Sequence, residues 1–487
     1  MTAEAPGPAH ASGSPERPDP ADEPDTSPVD GSLDRAGERA SRPWISLFSV
    51  AVWALLIATA VVVGKRLTDD GVPILSEAPP LFARWLPHTG PGTPWAIATA
   101  LAIVASAPWA TRVLSWRALL AVGYAASLAW TFALAMVSGF SEGIAERLTR
   151  NAEYLLEVSD APGLSELLST YTDRILGGQP DSWVSHVAGH PPGALQFYLA
   201  LDRIGLSGGA WAGVVTILVG CTSVVAVSVA VRALAGESLA RRALPFSVLA
   251  PAAIWVGVSA DAVFTAVTAW AVALLALASS EARRDRARRC ALWALGSGVL
   301  FGLGIYMSYG LVLLAPVALA AAVQQRLLRP LLIAGVGVGI VALAYTLLGF
   351  HWWEALSLVR ERYLAGYGGR RPYYYWVWAN LAALALMLGP AVAAGLGHAL
   401  GRVMSRSRAA GRDGTAGLLA PVGGAAVSVL LATLSGMSKA EVERIWLPFG
   451  SWLTTACALL PVRQMRFWLA TQGLTALAIE HLLEIRW

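Results

Sequence analysis

The residues best suited to chemistry lie where apolar stretches of the chain begin or end. The segment 438–446, SKAEVERIW, places Lys439 and Arg444 beside Glu441 and Glu443, just before an apolar stretch. Fixed cations at a helix entrance bind phosphate groups, and neighbouring carboxylates orient the arginine or accept hydrogen bonds from hydroxyl groups. The segment therefore predicts a phosphate-binding position. The alternative is that the side chains of Lys439 and Arg444 only extend from the helix end into water at a membrane surface and bind no ligand.

A second candidate lies at the end of a long polar segment, in WVSHVAGHPPGALQFYLAL. The two prolines after His190 fix an extended backbone and remove two amide donors, while Gly193 allows another group to approach closely. We therefore expect His190 to be held rigidly where the next helix begins, and His186 precedes it in the same segment. A stiff turn that only leads into the helix is the alternative.

Asp261 interrupts an apolar hairpin, AIWVGVSADAVFTAVTAW, close to its turn. A carboxylate in such a stretch is costly unless it faces protein or water. Asp261 is therefore predicted either to bind hydroxyl groups of a substrate or to cap the helix that follows.

The segment 350–378 combines arginines with many aromatic residues. Aromatic rings pack against cations and sugar faces, and arginine binds phosphate, so Arg362 and Tyr363 are candidates for substrate binding. A belt of aromatic side chains at a membrane interface explains the tyrosine run at 373–375 at least as well.

Motifs for metals and nucleotide cofactors are missing from the sequence. His88, His186 and His351 are too scattered to specify a zinc site. No phosphate-binding loop, dinucleotide fingerprint or hydrolase elbow occurs in a suitable context. We therefore expect no cofactor, no indicated divalent metal and no nucleic-acid partner.

The elements that position these residues are predicted to be transmembrane helices. The chain has 487 residues, of which 56% are hydrophobic and 14% charged, whereas a soluble protein carries about 25% charged residues. The apolar residues form blocks of about 20 residues, the length that crosses a bilayer. They predict an all-α polytopic bundle of about thirteen helices near 44–64, 94–111, 118–138, 209–231, 243–258, 262–280, 290–306, 308–323, 331–349, 374–397, 416–435, 445–461 and 467–484.

The loops between these blocks alternate in character. Short arginine-rich loops hold Arg112 and Arg117, Arg232, Arg241 and Arg242, Arg283 to Arg289, Arg326 and Arg329, Arg402 to Arg412, and Arg463 and Arg466. Longer loops with most of the acids and histidines lie at 65–93, 139–208, 350–373 and 436–444. Because arginine-rich loops stay in the cytoplasm, this predicts a multi-pass cell-membrane protein with a cytoplasmic N-terminus and its chemistry on the outer face.

Two segments outside the helices have a predicted character of their own. Residues 1–42 are rich in Pro, Ala, Gly, Ser and acids and have no apolar periodicity, so we expect a disordered cytoplasmic tail before a membrane domain at 43–487. The loop 139–208 begins with helical spacing, which predicts amphipathic helices on the outer membrane surface.

The outer loops resemble those of the C-type membrane glycosyltransferases, including actinobacterial mannosyl- and arabinosyltransferases. The resemblance rests on an acid after a transmembrane helix, on the acid-tyrosine pair Glu153-Tyr154 in a long outer loop, and on the closing HPPG motif. It implies transfer of a mannose- or arabinose-class sugar from a polyprenyl-phosphate donor. The acceptor would be an envelope glycan, a glycolipid or an exported protein, with membrane lipids as the other partners.

The resemblance also implies which acid removes the proton of the acceptor. Relatives usually carry an Asp soon after the helix that leads into this loop, and the corresponding residue here is Glu142. A glutamate also serves as a base, although its side chain is longer. Asp69 and Asp70, after the first helix, are the competing candidates.

Two other classes of function remain open at this stage. A transporter or lipid flippase is the principal alternative, although such proteins more often carry ionisable groups at mid-membrane and internal repeats. A scaffold that binds polyprenyl phosphate without turnover is the other.

Overall fold

The computed structural model describes Thr2 and residues 43–325, 328–405 and 414–485. The chain divides into two units, Met1–Ala40 and Ser41–Trp487, and the fold below is that of the second. The predicted tail at 1–42 lies outside the described residues apart from Thr2, so its character stays a prediction.

The described residues form helices almost throughout. Seven helices are long and apolar enough to cross a membrane: Pro43–Asp69, Thr93–Val113, Trp116–Ser138, Gly208–Ala235, Ala260–Arg283, Leu328–Leu347 and Thr415–Ser435. Many of their leucines face outward, among them Leu101 and Leu434, which are 65% and 60% exposed. Such extended apolar surfaces need lipid around them. The predicted all-α polytopic bundle is confirmed.

One predicted crossing, at 374–397, is broken in the structure. The helices Tyr373–Leu388 and Pro390–Met404 meet at an angle of 108°, and Gly389 joins them with a φ of 79°. Gln472 satisfies the backbone at the break: its amide donates to Leu388 O and accepts from Ala391 N. A helix can break within a bilayer only if its freed backbone groups find hydrogen-bond partners, and here a neighbouring helix provides them.

Of five further predicted crossings, those at 290–306 and 467–484 coincide with the continuous helices Ala287–Ile305 and Met465–Leu482. Those at 243–258, 308–323 and 445–461 are interrupted. The remaining α-helices are Leu164–Thr170, Ser185–Ala188, Gly193–Arg203, Glu237–Val248, Ala253–Val256, Ala287–Ile305, Ala315–Gln325, Trp352–Ala365, Tyr367–Arg370, Val442–Ile445, Leu447–Thr454 and Met465–Leu482. Prolines and glycines between apolar pieces, such as Pro251 and Gly257, account for the interruption of the segment 243–258.

The start of the long loop is less regular than its sequence spacing predicted. In place of continuous amphipathic helices over 139–158 it forms short turns, the π-turn Ser141–Ala145 and the 3-10 turns Arg147–Thr149 and Tyr154–Glu157. Gly209 and Gly213 let the helix Gly208–Ala235 approach the backbone at Ala145 and Ile144, so these turns pack into the bundle with Ile144 buried and do not lie on a surface. Further 3-10 turns are Met136–Ser138, Thr172–Arg174, Tyr309–Leu314, Thr455–Leu459 and Val462–Gln464.

Loops that the sequence places on one side contact one another. In the acidic set, the amide of Phe82 donates to Glu443, and Arg444 bonds to His186. In the arginine-rich set, the guanidinium of Arg241 donates to the carbonyl oxygen of Leu114. The contacts therefore group the loops into the same two sets, acidic and arginine-rich, that their composition predicted.

The sequence did not predict that a two-stranded sheet would close the acidic side. Strand Ala83–Trp85 pairs antiparallel with strand Leu483–Ile485, with Ala83 opposite Ile485. Arg84 adds an ion pair with Glu484 at 2.8 Å. The sheet ties the loop after the first helix to the end of the last helix.

Candidate functional site

Arg444 lies at the centre of a buried charged cluster. One terminal nitrogen, Nη1, is 3.0 Å from Oδ2 of Asp261. The other, Nη2, is 2.8 Å from Oε2 of Glu441 and 3.0 Å from Nε2 of His186. Burial would lower the pKa of Arg444, but Asp261 and Glu441 raise it above its usual value. The guanidinium therefore stays positively charged.

Asp261 reaches this cluster from the first turn of the helix Ala260–Arg283. Its residue is 3% exposed, and Ser259, not Asp261, stands at the N-cap position. The carboxylate is used for the ion pair with Arg444, while the helix N-terminus adds a favourable positive end. Asp261 is thus the predicted acid at the helix N-terminus, without a side-chain cap hydrogen bond, and its binding of substrate hydroxyl groups stays a prediction.

Glu441 joins Arg444 to a second buried arginine, Arg371. Arg371 Nη1 is 3.1 Å from Oε1 of Glu441 and also donates to the carbonyl oxygen of Lys439 at 2.6 Å. Burial would raise the pKa of Glu441, but Arg444 and Arg371 lower it to about 2. Glu441 is thus an ionised bridge between two cations.

The backbone around Glu441 is strained and clamped. Ala440 and Glu441 have φ angles of 67° and 60°, a region that costs a residue with a side chain about 1–3 kcal/mol. Asn380 opposes the strain because its side-chain amide donates to Ser438 O and accepts from Ala440 N. The surrounding structure therefore enforces this turn, which aims Glu441 and Arg444 into the cluster.

A histidine arm extends the cluster into the long loop. Nδ1 of His186 lies 2.8 Å from Oε1 of Glu153, and Glu153 is 3% exposed. His190 Nδ1 lies 2.8 Å from the carbonyl oxygen of His186. The ring of Tyr154 packs against both histidines, with centroids 6.2 and 5.8 Å away. The structure thus brings the acid-tyrosine pair and the HPPG segment together.

The loop after the first helix reaches the same cluster through Glu443. Oε1 of Glu443 accepts the amide of Phe82 at 2.8 Å, whereas its buried Oε2 has no hydrogen-bond partner among the described residues. Burial raises the pKa of Glu443 to about 7. Glu443 is therefore partly protonated near neutral pH, unlike Glu441 two residues before it.

Two donors in the cluster are unused. Nε of Arg444 and Nε of Arg371 are buried and have no partner within the described part of the chain. An unsatisfied buried donor costs about 1–3 kcal/mol, so an acceptor from outside that reached these two guanidiniums would relieve that cost. A phosphate oxygen is the acceptor that arginine prefers.

The other predicted binding residues support the loops around the cluster. Arg362 donates to the carbonyl oxygens of Ile175 and Trp183 at 2.6 and 2.8 Å, so its guanidinium is occupied by the long loop. Tyr363 accepts the amide of Lys439, and Nζ of Lys439 donates to Gly368 O. In this structure these three residues contact protein backbone.

The candidate bases from the sequence are not part of the cluster network. Glu142 is an exposed residue of the π-turn Ser141–Ala145, and its charge acts on the buried Arg147. Asp69 and Asp70 are exposed at the end of the first helix. A base role for any of them stays a prediction from the sequence.

A small cavity of about 50 Å³ is lined by residues that follow members of the charged cluster in the chain. Thr265, one turn after Asp261, and Leu447, three residues after Arg444, both line it. Its wall is mostly apolar, with hydroxyl groups contributed by Thr131, Ser451 and Thr454 among others. Within the described residues, no group of three or more His, Cys, Asp or Glu side chains is arranged to hold a metal ion.

The sequence alone did not identify Arg371, Asn380 or Phe82 as candidate site residues. Arg371 lies in the aromatic segment that was otherwise interpreted as a membrane belt. Its position directly before Pro372, at the start of a helix, was the available signal. Asn380 is the one amide side chain in an apolar helix, and such a group is expected to have a polar partner.

Gly193 of the HPPG motif packs directly on another backbone segment. Its amide donates to Tyr306 O at 2.8 Å, and a Cβ at this position would lie 2.4 Å from that oxygen. Gly193→Ala is therefore expected to destabilise the protein by about 1–3 kcal/mol, measured as a lower midpoint of thermal unfolding. Gly177→Ala, where a Cβ meets nothing within 4 Å, should leave the midpoint unchanged. Equal shifts in both variants would contradict the steric explanation.

The chain was compared with known proteins. No protein family matches the sequence, and no curated protein matches it. Among solved structures, the fold is similar to a crystal structure of the Archaeoglobus fulgidus oligosaccharyltransferase in complex with zinc and sulfate. The TM-score is 0.47 and the sequence identity 13%, and the similarity covers 70% of this chain and 50% of that one. The matched part thus spans about half the length of that protein.

Proposed function

We propose that this protein is a membrane glycosyltransferase that moves a sugar from a polyprenyl-phosphate donor to an acceptor outside the cytoplasm. The sugar is of the mannose or arabinose class. The acceptor is a cell-envelope glycan, a glycolipid or an exported protein. The protein spans the cell membrane many times with its N-terminus in the cytoplasm, so that the charged cluster faces the outside.

The observation that carries this proposal is the pair of buried arginines, Arg444 and Arg371, bridged by Glu441 and each with an unused Nε donor. Displacing a phosphate from a sugar carbon leaves negative charge on the phosphate, and fixed cations in a site of low dielectric stabilise that charge. The carboxylates of Asp261 and Glu441 lie within the same cluster and can accept hydrogen bonds from sugar hydroxyls.

The surroundings of the cluster suit a lipid-linked substrate. The helices beside it expose broad apolar faces, along which a polyprenyl chain can lie within the bilayer. All four acidic loops contribute to the cluster, through Phe82, His186, Arg371 and Arg444. A transport pathway would more often place such groups at mid-membrane, so the position of the cluster at the loops favours an enzyme.

The test is sugar transfer in membranes that contain the full chain. Radiolabelled polyprenyl-phosphate mannose and polyprenyl-phosphate arabinose are supplied, and the label is followed into the envelope fraction. We expect transfer from one of these donors in membranes with the chain and not in membranes without it. The matched water-soluble sugar phosphate should give no transfer. Movement of intact donor across vesicles without transfer would favour a flippase.

A further inference from the structure

His186 connects a buried carboxylate to the guanidinium at the centre of the cluster. Nδ1 lies 2.8 Å from Oε1 of Glu153, and Nε2 lies 3.0 Å from Nη2 of Arg444. A guanidinium has only donors and cannot accept a hydrogen bond. Arg444 must therefore donate to Nε2, which leaves the proton of a neutral imidazole on Nδ1, the nitrogen nearest to Oε1 of Glu153.

We propose that Glu153 and His186 form the base of the transfer reaction, and that Arg444 covers Nε2 of His186 until a donor phosphate draws the guanidinium away. This inference rests on the proposed function, because it assigns the proton acceptor of that reaction. His186 is the catalytic residue. Glu153 is a positioning residue that fixes the tautomer and stabilises the imidazolium.

The charged groups around His186 carry a net negative charge. Three carboxylates, Glu153, Asp261 and Glu441, face two guanidiniums, those of Arg444 and Arg371. With a neutral His186 this set has one more negative charge than positive charges. Burial would raise the pKa of Glu153, but His186 and Arg444 hold it below its usual value. The carboxylate of Glu153 is therefore ionised beside the imidazole ring of His186.

Two neighbouring groups, His190 and Glu441, are less suitable as a base. His190 directs Nδ1 to the carbonyl oxygen of His186, and its ring packs between those of Tyr154 and Phe264 at 5.8 and 5.5 Å. Burial lowers the pKa of His190 to about 4. The paired Glu441, with its pKa near 2, is a weak proton acceptor, because an efficient base titrates close to the working pH.

The reaction step balances with these groups alone. The acceptor oxygen forms a bond to the anomeric carbon while the bond from that carbon to the phosphate oxygen breaks. The electron pair of the broken bond leaves with the polyprenyl phosphate, whose new negative charge is met by Arg444. The proton of the acceptor hydroxyl moves to Nε2 of His186, and the imidazolium later releases it to water.

The test variant is His186→Gln, whose side chain still accepts a hydrogen bond from Arg444 but takes up no proton. In membranes with the full chain and the labelled donor that the wild type uses, transfer should fall about 10²–10⁴-fold. Competition by unlabelled polyprenyl phosphate for donor binding should stay at the wild-type level. Adding imidazole to His186→Ala should restore part of the transfer, which a merely structural role would not allow.

Three further variants separate the outcomes. Glu153→Gln should also lower transfer at unchanged donor binding, and Glu153→Asp should recover part of it. Wild-type transfer by His186→Gln, with transfer lost in Glu142→Gln, would overturn the dyad and identify Glu142 as the base while the proposed function stands. Absence of both donor binding and transfer in the wild type would overturn the proposed function and the dyad with it.

Discussion

Replacing Arg444 by alanine is expected to weaken donor binding about 10–100-fold, since a hydrogen bond to a charged group contributes about 1.5–3 kcal/mol. Transfer should fall further, about 10²–10³-fold, because the guanidinium meets charge that develops as the phosphate leaves. The variant also leaves Asp261 and Glu441 buried beside no central cation, and breaking a buried ion pair costs about 3–5 kcal/mol. Donor competition, labelled transfer and the midpoint of thermal unfolding measure the three effects.

Two controls separate the loss of function from the loss of stability. Arg444→Lys keeps the positive charge but loses the forked geometry, so it should unfold close to the wild type and still transfer poorly. Arg241→Ala removes a comparable arginine at the other end of the bundle, where it pairs with Glu237, and should lower stability without changing the affinity for the donor. Normal transfer by Arg444→Lys would mean that charge alone is required at this position.

Replacing Glu443 by glutamine is expected to stabilise the protein, and the gain should grow with pH. The pKa of Glu443 rises from 4.5 to about 7 on folding because the carboxyl is buried. A raised folded-state pKa contributes stability that is fully present below 4.5 and is lost as the pH rises through 7. At pH 8 the ionised carboxylate thus costs on the order of 3 kcal/mol. Glutamine avoids this cost and still accepts the amide of Phe82.

The measurement is the midpoint of thermal unfolding of wild type and Glu443→Gln between pH 5 and pH 8. The two should be nearly equal at pH 5 and differ most at pH 8. Glu441→Gln is the matched control. Because the pKa of Glu441 is lowered to about 2, its stabilising contribution is lost only as the pH falls toward 2, so this variant should be less stable by a constant amount over the whole range. A constant offset for Glu443→Gln would contradict the buried-proton explanation.

The sequence predicted the membrane architecture because the controlling pattern is local. Blocks of about twenty apolar residues and alternating arginine-rich loops are readable without any knowledge of contacts. The break at Gly389 was not predicted, since it depends on Gln472 in another helix. The pairing of strands Ala83–Trp85 and Leu483–Ile485 was missed for the same reason: each is three residues long and has no signal of its own.

For the candidate site, the sequence predicted single residues and not their connections. Asp261 and Arg444 stood out because isolated charges beside apolar stretches are costly, and the structure brings them to 3.0 Å. Lys439 was predicted to bind phosphate, yet its ammonium group is bonded to Gly368 O. The tertiary structure decides which cation has an unused donor for a ligand, and a sequence does not show this. The roles assigned to these residues stay predictions.

The ion pair between Asp261 and Arg444 joins residues that are 183 positions apart in the chain. At a synthesis rate of about 5–20 residues per second, the aspartate is made roughly 10–40 s before its partner. During that interval Asp261 lacks the guanidinium that pairs with it in the folded protein. The cluster thus closes only when the segment that carries Arg444 has been made. A chain that stalls before Arg444 keeps a carboxylate without the counterion that its burial requires.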